Sequence, residues 1–182
     1  MKVDLLYGKS VLTVSCPAKV EVTVVRKPLM PALDNPGMAV SNALAQSIGC
    51  DSLQHLAADS RSACILICDV TRPVPNHLFL RPLIETLIGA GISSESITVL
   101  VATGLHRPNE GDELASVIGD DWVLNNIRVV NHNALDDEEH TDLGFTSRTT
   151  PVGLDRRFVE ADLGIATGLV EPHFMAGYSG GR

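Results

Sequence analysis

The sequence predicts an α/β fold: a mainly parallel sheet flanked by helices, with a β hairpin or strands at the N-terminus. Three observations predict it. From residue 62 onward, apolar runs alternate with helical stretches, which is the βαβ rhythm of a parallel sheet. Two of those runs, Ala63 to Cys68 and Ile97 to Ala102, are continuous, as in strands covered on both faces. Residues 1–30 instead carry short β-branched runs around turn residues. On this reading 1–182 is one domain, with a β-rich start over 1–30 and a βαβ core over 62–182.

Each element has a local reason. Val3 to Leu6 and Val11 to Val14 flank the turn Tyr7-Gly8-Lys9, and Val20 to Val25 alternates like a half-buried strand. Asp34-Asn35-Pro36 starts a helix that should run to Ile48 and end at Gly49. Asp51 or Ser52 caps a short helix through Ala57. The strand 63–68 leads into a helix from Asn76 to Ile88, in which Pro82 should mark the start of the regular turns. After the strand 97–102, Asn109 is the expected cap of a helix through Ile118. Ile127 to Val130 is a third strand, and residues 135–150, with Asp136-Asp137-Glu138-Glu139, read as a solvated loop. A short strand over Thr149 to Val152, a helix over Phe158 to Ala161 and a strand over Leu163 to Ala166 complete the pattern. A glycine-rich turn of the kind that opens a helix over a ligand follows.

Composition excludes several classes. A hydrophobic fraction of 45% and a charged fraction of 20% are those of a soluble globular chain. A net charge of −8 argues against a nucleic-acid reader, which needs a basic face. No run of about 18 apolar residues predicts a membrane span, and Met1-Lys2-Val3-Asp4 does not open a signal peptide. Cys16, Cys50, Cys64 and Cys68 form no Cys-x-x-Cys pair. Cys64 and Cys68 share one face of a strand and read as buried hydrophobes in a reducing compartment, so a cytoplasmic protein is expected.

Three polar segments follow three of the strands. In open α/β sheets, ligands sit beyond the carboxyl ends of the strands, so parallel strands would gather these segments into one pocket. Asp69-Val70-Thr71-Arg72-Pro73 offers a carboxylate, a hydroxyl and a guanidinium before a helix, a combination suited to an anion; the alternative is an Asx-turn with a surface ion pair. His106, between Gly104 and Pro108, is placed for general base work or for capping the next helix. His173 lies in Glu171-Pro172-His173-Phe174, as an acid/base or a half-buried packing residue. Gly177-Tyr178-Ser179-Gly180-Gly181-Arg182 could form an anion nest or a flexible connection. A racemase needs an acid/base group on each face of its reacting carbon, and two matched histidines with a carboxylate-binding arginine meet that need. His55, His77, His132 and His140 have no companion motif and are assigned no role.

Taken together, Asp69-Val70-Thr71-Arg72-Pro73-Val74-Pro75, Ala102-Thr103-Gly104-Leu105-His106-Arg107-Pro108 and the stretch Glu171 to Arg182 resemble the nickel-pincer lactate racemase family of 2-hydroxyacid racemases and epimerases. The likeness covers nearly the whole chain, but only the N-terminal domain of such an enzyme. It implies a nickel-pincer nucleotide, a pyridinium mononucleotide holding nickel, which exchanges hydride with the substrate carbon. It implies that His106 and His173 are the acid/base residues and that Arg72 helps hold a small 2-hydroxyacid. It also implies that Asp69, Thr71, Arg72, Tyr178, Ser179, Gly180 and Gly181 line the cofactor.

The family carries a lysine directly after Ser-Gly-Gly-Arg that attaches the cofactor, and a nickel-ligating histidine beyond it. This sequence ends at Arg182, so both are expected outside it, with the C-terminal domain as the missing partner, and no residue here is expected to ligate metal. The isolated domain is expected to be inactive. A non-catalytic nucleotide- or phosphate-binding module, or a docking domain, is the alternative.

Overall fold

A computed structural model describes residues 1–8, 10–26 and 28–180, in two compact units, Met1–Leu33 and Asp34–Arg182. In the first unit, β1 (Lys2–Tyr7) and β2 (Ser10–Ser15) form an antiparallel hairpin in register from Lys2 opposite Ser15 to Tyr7 opposite Ser10. The Thr13 hydroxyl donates across it to Asp4 Oδ1 at 2.6 Å. The strand expected at Val20 to Val25 does not form. Alternation makes a strand only where an edge accepts its hydrogen bonds, and the sheet of this unit has two strands, β1 and β2.

The second unit begins with α1 (Pro36–Ala45), where the Asn35 side chain accepts from the Met38 N–H at 3.0 Å. The helix ends three residues before Ile48, and Gly49 takes a positive φ of 74° in the turn that follows. Ser52 caps α2 (Leu53–Ala58). Next comes β3 (Ala63–Cys68), then α3 (Asn76–Gly89) as one continuous helix with Pro82 in its interior. Pro82 therefore does not mark the helix start. An interior proline costs about 3 kcal/mol, but Leu80, Leu83, Ile84 and Leu87 around it are buried, and each contributes about 1.5–3 kcal/mol.

β4 (Ile97–Ala102) leads to α4 (Gly111–Ile118), which Asn109 does not cap; Glu110 precedes it with no side-chain bond, because the Asn109 side chain is engaged elsewhere. A helix absent from the sequence reading, α5 (Asp121–Asn126), is capped by Asp120, whose carboxylate accepts from the Val123 N–H. β5 (Arg128–Asn131) follows. The expected solvated loop is only partly one. The acidic run makes a 3₁₀ turn over Asp137–Glu139, but β6 (His140–Phe145) then pairs antiparallel with β7 (Pro151–Asp155). The chain closes with α6 (Arg156–Val159), β8 (Leu163–Ala166) and a hairpin of β9 (Glu171–His173) and β10 (Gly177–Ser179). The glycine-rich stretch thus forms a hairpin, not the start of a helix, among the described residues.

The four strands of the main sheet are parallel in the order β5-β4-β3-β8. Ile65 and Ile67 of β3 and Val99 and Val101 of β4 join Leu80, Ile84 and Leu87 of α3 in a core that also takes in Ile118 and Val123. On β8, Gly164 leaves room for the Phe158 ring of α6: a Cβ there would lie 3.0 Å from Phe158 Cζ. The four cysteines are free, and burial with the nearby Asp155 charge pushes the Cys64 thiol up to about 11, so it is inert. No helix among the described residues is long and apolar enough to cross a membrane.

Candidate functional site

β3 lies between β4 and β8, so the segments after these three parallel strands emerge side by side at one sheet edge. Asp69 follows β3 and is 5% exposed. Its Oδ1 accepts from the Thr71 N–H at 3.2 Å and from the Thr71 hydroxyl at 2.6 Å, an Asx-turn that fixes the carboxylate. Its Oδ2 lies 2.7 Å from His106 Nδ1. Burial alone would raise the Asp69 pKa, but the hydrogen bonds from Thr71 and His106 outweigh it and the net shift is downward. The group is therefore a carboxylate, and His106 Nδ1 must donate to it. In the neutral ring His106 Nε2 is then a lone pair, on a side chain that is 60% exposed.

The two loops are tied together beneath the site. Asn109 is 1% exposed; its side-chain oxygen accepts from the Val70 N–H at 3.1 Å. Its own N–H donates to Asn131 Oδ1 at 3.0 Å, and Asn131 Nδ2 donates back to the Asn109 carbonyl at 2.9 Å. Thr103 Oγ1 donates to the His132 carbonyl at 2.6 Å, and the His106 N–H donates to the Thr103 carbonyl. Each residue thus holds a neighbour of Asp69 or His106, and the pair inherits the rigidity of β3, β4 and β5. Arg107 points away, with NH2 at 2.9 Å from Glu113 Oε1.

Arg72 connects the third segment. Its NH1 lies 3.2 Å from Glu171 Oε1, and the guanidinium is half exposed. Glu171 opens β9, the strand that carries His173. His173 Nδ1 accepts from the Met175 N–H at 3.2 Å and the Ala176 N–H at 3.0 Å, so a neutral His173 carries its proton on Nε2. The two histidines are held in opposite tautomers. No hydrogen bond joins them among the described residues. Phe174 is fully exposed and does not cover His173.

In β10, Tyr178 pairs with Pro172 and is exposed, Ser179 pairs with Glu171, and Gly180 has a φ of 80°. Gly181 lies outside the described residues. The side chains of Asp69 and Thr71, expected from the resemblance to line a cofactor, bond to each other in this structure, and Asp69 also bonds His106.

The sequence reading missed Thr103, Asn109, Asn131 and Glu171 as parts of the site. Asn131 ends a strand beside the one that ends in the His106 loop, and only the sheet order makes that visible. It also gave no role to His132 and His140, which the structure places against each other.

A family model for the lactate racemase N-terminal domain matches residues 7–182. The chain is 36% identical over 143 residues to the lactate racemase of Lactiplantibacillus plantarum, covering 79% of this chain and 33% of that protein. It is 34% identical over 182 residues to the lactate racemase of Thermoanaerobacterium thermosaccharolyticum, covering 99% of this chain and 42% of that protein. The solved lactate racemase apoprotein from the latter organism superposes with a TM-score of 0.80 at 31% identity, over 100% of this chain and 42% of that one. A Thermotoga maritima protein shares the fold at a TM-score of 0.61 and 20% identity, over 80% of this chain and 36% of that one. The chain thus spans between a third and somewhat over two fifths of the length of the curated relatives it matches. By this match, the sheet-edge grouping of Asp69, Arg72, His106 and His173 is set in a chain that belongs to the lactate racemase N-terminal domain family.

Proposed function

We propose that the whole protein is a racemase or epimerase of small 2-hydroxyacids, lactate among them, and that this domain supplies its acid/base histidines and its carboxylate-binding arginine. The observation that carries the reading is the Asp69–His106 pair, which leaves a free imidazole lone pair on the sheet edge that also presents Arg72.

Arg72 binds the substrate carboxylate through its planar donors, in exchange with or alongside Glu171. His106 Nε2 takes the hydroxyl proton. The imidazolium that forms is stabilised by Asp69, since a hydrogen bond to a charged partner contributes about 1.5–3 kcal/mol. His173, charged as an imidazolium, gives its Nε2 proton to the product oxygen from the second segment, so that one proton is taken and one returned. For the opposite configuration the histidines exchange roles, and the two directions therefore start from opposite protonation arrangements. In either role His173 carries a proton on Nδ1, which means giving up the Met175 and Ala176 amide bonds there, each worth about 1 kcal/mol.

The donors at this edge, the Arg72 guanidinium and the Ser179 hydroxyl, suit a phosphate-bearing nucleotide. A nickel-pincer nucleotide, when bound, supplies the hydride acceptor and donor. Arg72, Tyr178, Ser179 and Gly180 would face its nucleotide part, with Asp69 and Thr71 behind them. The family's attachment lysine and nickel-ligating histidine are expected beyond Arg182, and the isolated domain is expected to be inactive.

The test uses the full-length protein produced with the cofactor-making enzymes. Intact mass, nickel content and chiral analysis of a 2-hydroxyacid panel are measured together. Interconversion of both enantiomers, lost in His106→Ala and in His173→Ala with nickel retained, is the expected result. Cofactor loading without exchange across the panel would overturn the reading.

A further inference from the structure

We infer that His132 and His140 form a two-imidazole chelate for a divalent transition-metal ion of the zinc type, outside the Asp69–His106 site. The two Nε2 atoms face each other at 3.4 Å, with ring centroids 4.9 Å apart and planes at 84°. Each ring's other nitrogen is already committed. His132 Nδ1 lies 3.0 Å from Asp155 Oδ2, and His140 Nδ1 lies 2.7 Å from the Asp136 carbonyl. Both partners are acceptors, so both Nδ1 atoms carry the proton and both Nε2 atoms are lone pairs in the neutral rings. Two lone pairs held this close call for a positive charge between them.

The spacing matches an ion. A tetrahedral zinc about 2.05 Å from each nitrogen would hold the two nitrogens about 3.3–3.4 Å apart. A carboxylate or carbonyl on the far nitrogen is the arrangement that orients metal-binding imidazoles. The orienting group is itself fixed: Arg157 Nε donates to Asp155 Oδ1 at 2.8 Å, and Arg157 NH2 donates to Glu139 Oε2 at 2.7 Å. Asp155 and Glu139 carry two negative charges against one positive charge on Arg157, so the surroundings favour an added cation. His132 is 17% exposed and lines two cavities of about 280 and 250 Å³, which give an ion a route in. No third ligand stands with the pair among the described residues. Water or small anions would fill the two remaining tetrahedral positions. Binding would pin the segment after β5 to the start of β6 and stabilise both.

Zinc chloride titrated into the 182-residue chain by calorimetry, in a non-chelating buffer near neutral pH, tests this. One ion per chain is expected, with affinity lowered by about tenfold or more in His132→Ala and in His140→Ala, and by about tenfold in Asp155→Asn. Saturable binding that is absent, or unchanged in both histidine variants, overturns the proposal and leaves a shared proton as the occupant. If His132→Ala does not fold, long-range ¹H–¹⁵N spectra of the unsubstituted chain decide. Zinc should shift the Nε2 signals of His132 and His140 and leave both Nδ1–H groups in place. Shifts confined to His55, His77 or His173 overturn it.

Discussion

Asp69 and His106 are 37 positions apart in the chain and 2.7 Å apart in the fold, with the carboxylate accepting from His106 Nδ1. One bond therefore fixes the tautomer, the ring orientation and the charge partner of the exposed Nε2. Asp69→Asn keeps the shape and removes the charge. In the full-length protein, for the proposed reaction, it should lower kcat about 10²-fold, with little change in KM, because proton transfer by a positioned base contributes about 10²–10⁴-fold. Steady-state rates for each enantiomer check this; an unchanged kcat would remove Asp69 from the mechanism.

Arg72→Ala should raise KM for the hydroxyacid about tenfold or more, while the melting temperature stays nearly the same. The Arg72–Glu171 pair is half exposed, and such pairs contribute about 0.2–1 kcal/mol to stability. Arg72→Lys should restore only part of the affinity, because an ammonium cannot reproduce the bidentate fork.

Asn131→Ala removes both side-chain bonds to the Asn109 backbone. A loss of about 1–3 kcal/mol in urea unfolding is expected, since the freed Asn109 groups are buried. The His106 imidazole should also lose its single ordered environment, which its ¹⁵N resonances would report.

Asp155 carries the clearest pH dependence. Burial pushes its pKa up, but hydrogen bonds from Arg157 and then His132 outweigh it and bring the pKa down from 3.8 to about 2. A folded pKa below the unfolded one means stability that is present above the unfolded value and lost as pH falls through the folded one. About 2 kcal/mol should therefore disappear between roughly pH 4 and pH 2. Urea unfolding of the unsubstituted chain and of Asp155→Asn across that range should converge at the acid end.

Gly119 closes α4 with a φ of 68°, and a Cβ there would lie 2.8 Å from His77 Cβ. Gly119→Ala meets both a left-handed backbone and a backbone-anchored neighbour, so it should cost about 1–3 kcal/mol. Thermal unfolding measures it. The same change at Gly89, where a Cβ would meet open space, should be close to neutral.

Local chemistry made most of the parallel core legible. β3 and β4 fall on their expected residues because uninterrupted apolar runs of that length suit strands covered on both faces, and β8 falls on its expected residues as an edge strand with alternate residues exposed. The caps at Asn35 and Ser52 were readable because a side-chain oxygen one residue before a helix acts within its own turn. The three polar segments could be named, and their parallel strands placed them on one edge.

What the sequence could not decide depends on partners distant in the chain. Val20 to Val25 has the pattern of a strand but pairs with neither β1 nor β2, and Asn109 looks like a helix cap but is claimed by Val70 and Asn131. His132 and His140 carry no local signal, since their significance lies in two nitrogens that meet only when β5 and β6 are in place. The sequence by itself determined the strands of the parallel sheet, the polar segments that follow them and the family. Tertiary structure decided the pairing: which carboxylate holds which histidine, and therefore which nitrogen is free to act. Hydrogen-bond geometry is set over a few ångströms of space, and sequence distance does not encode it.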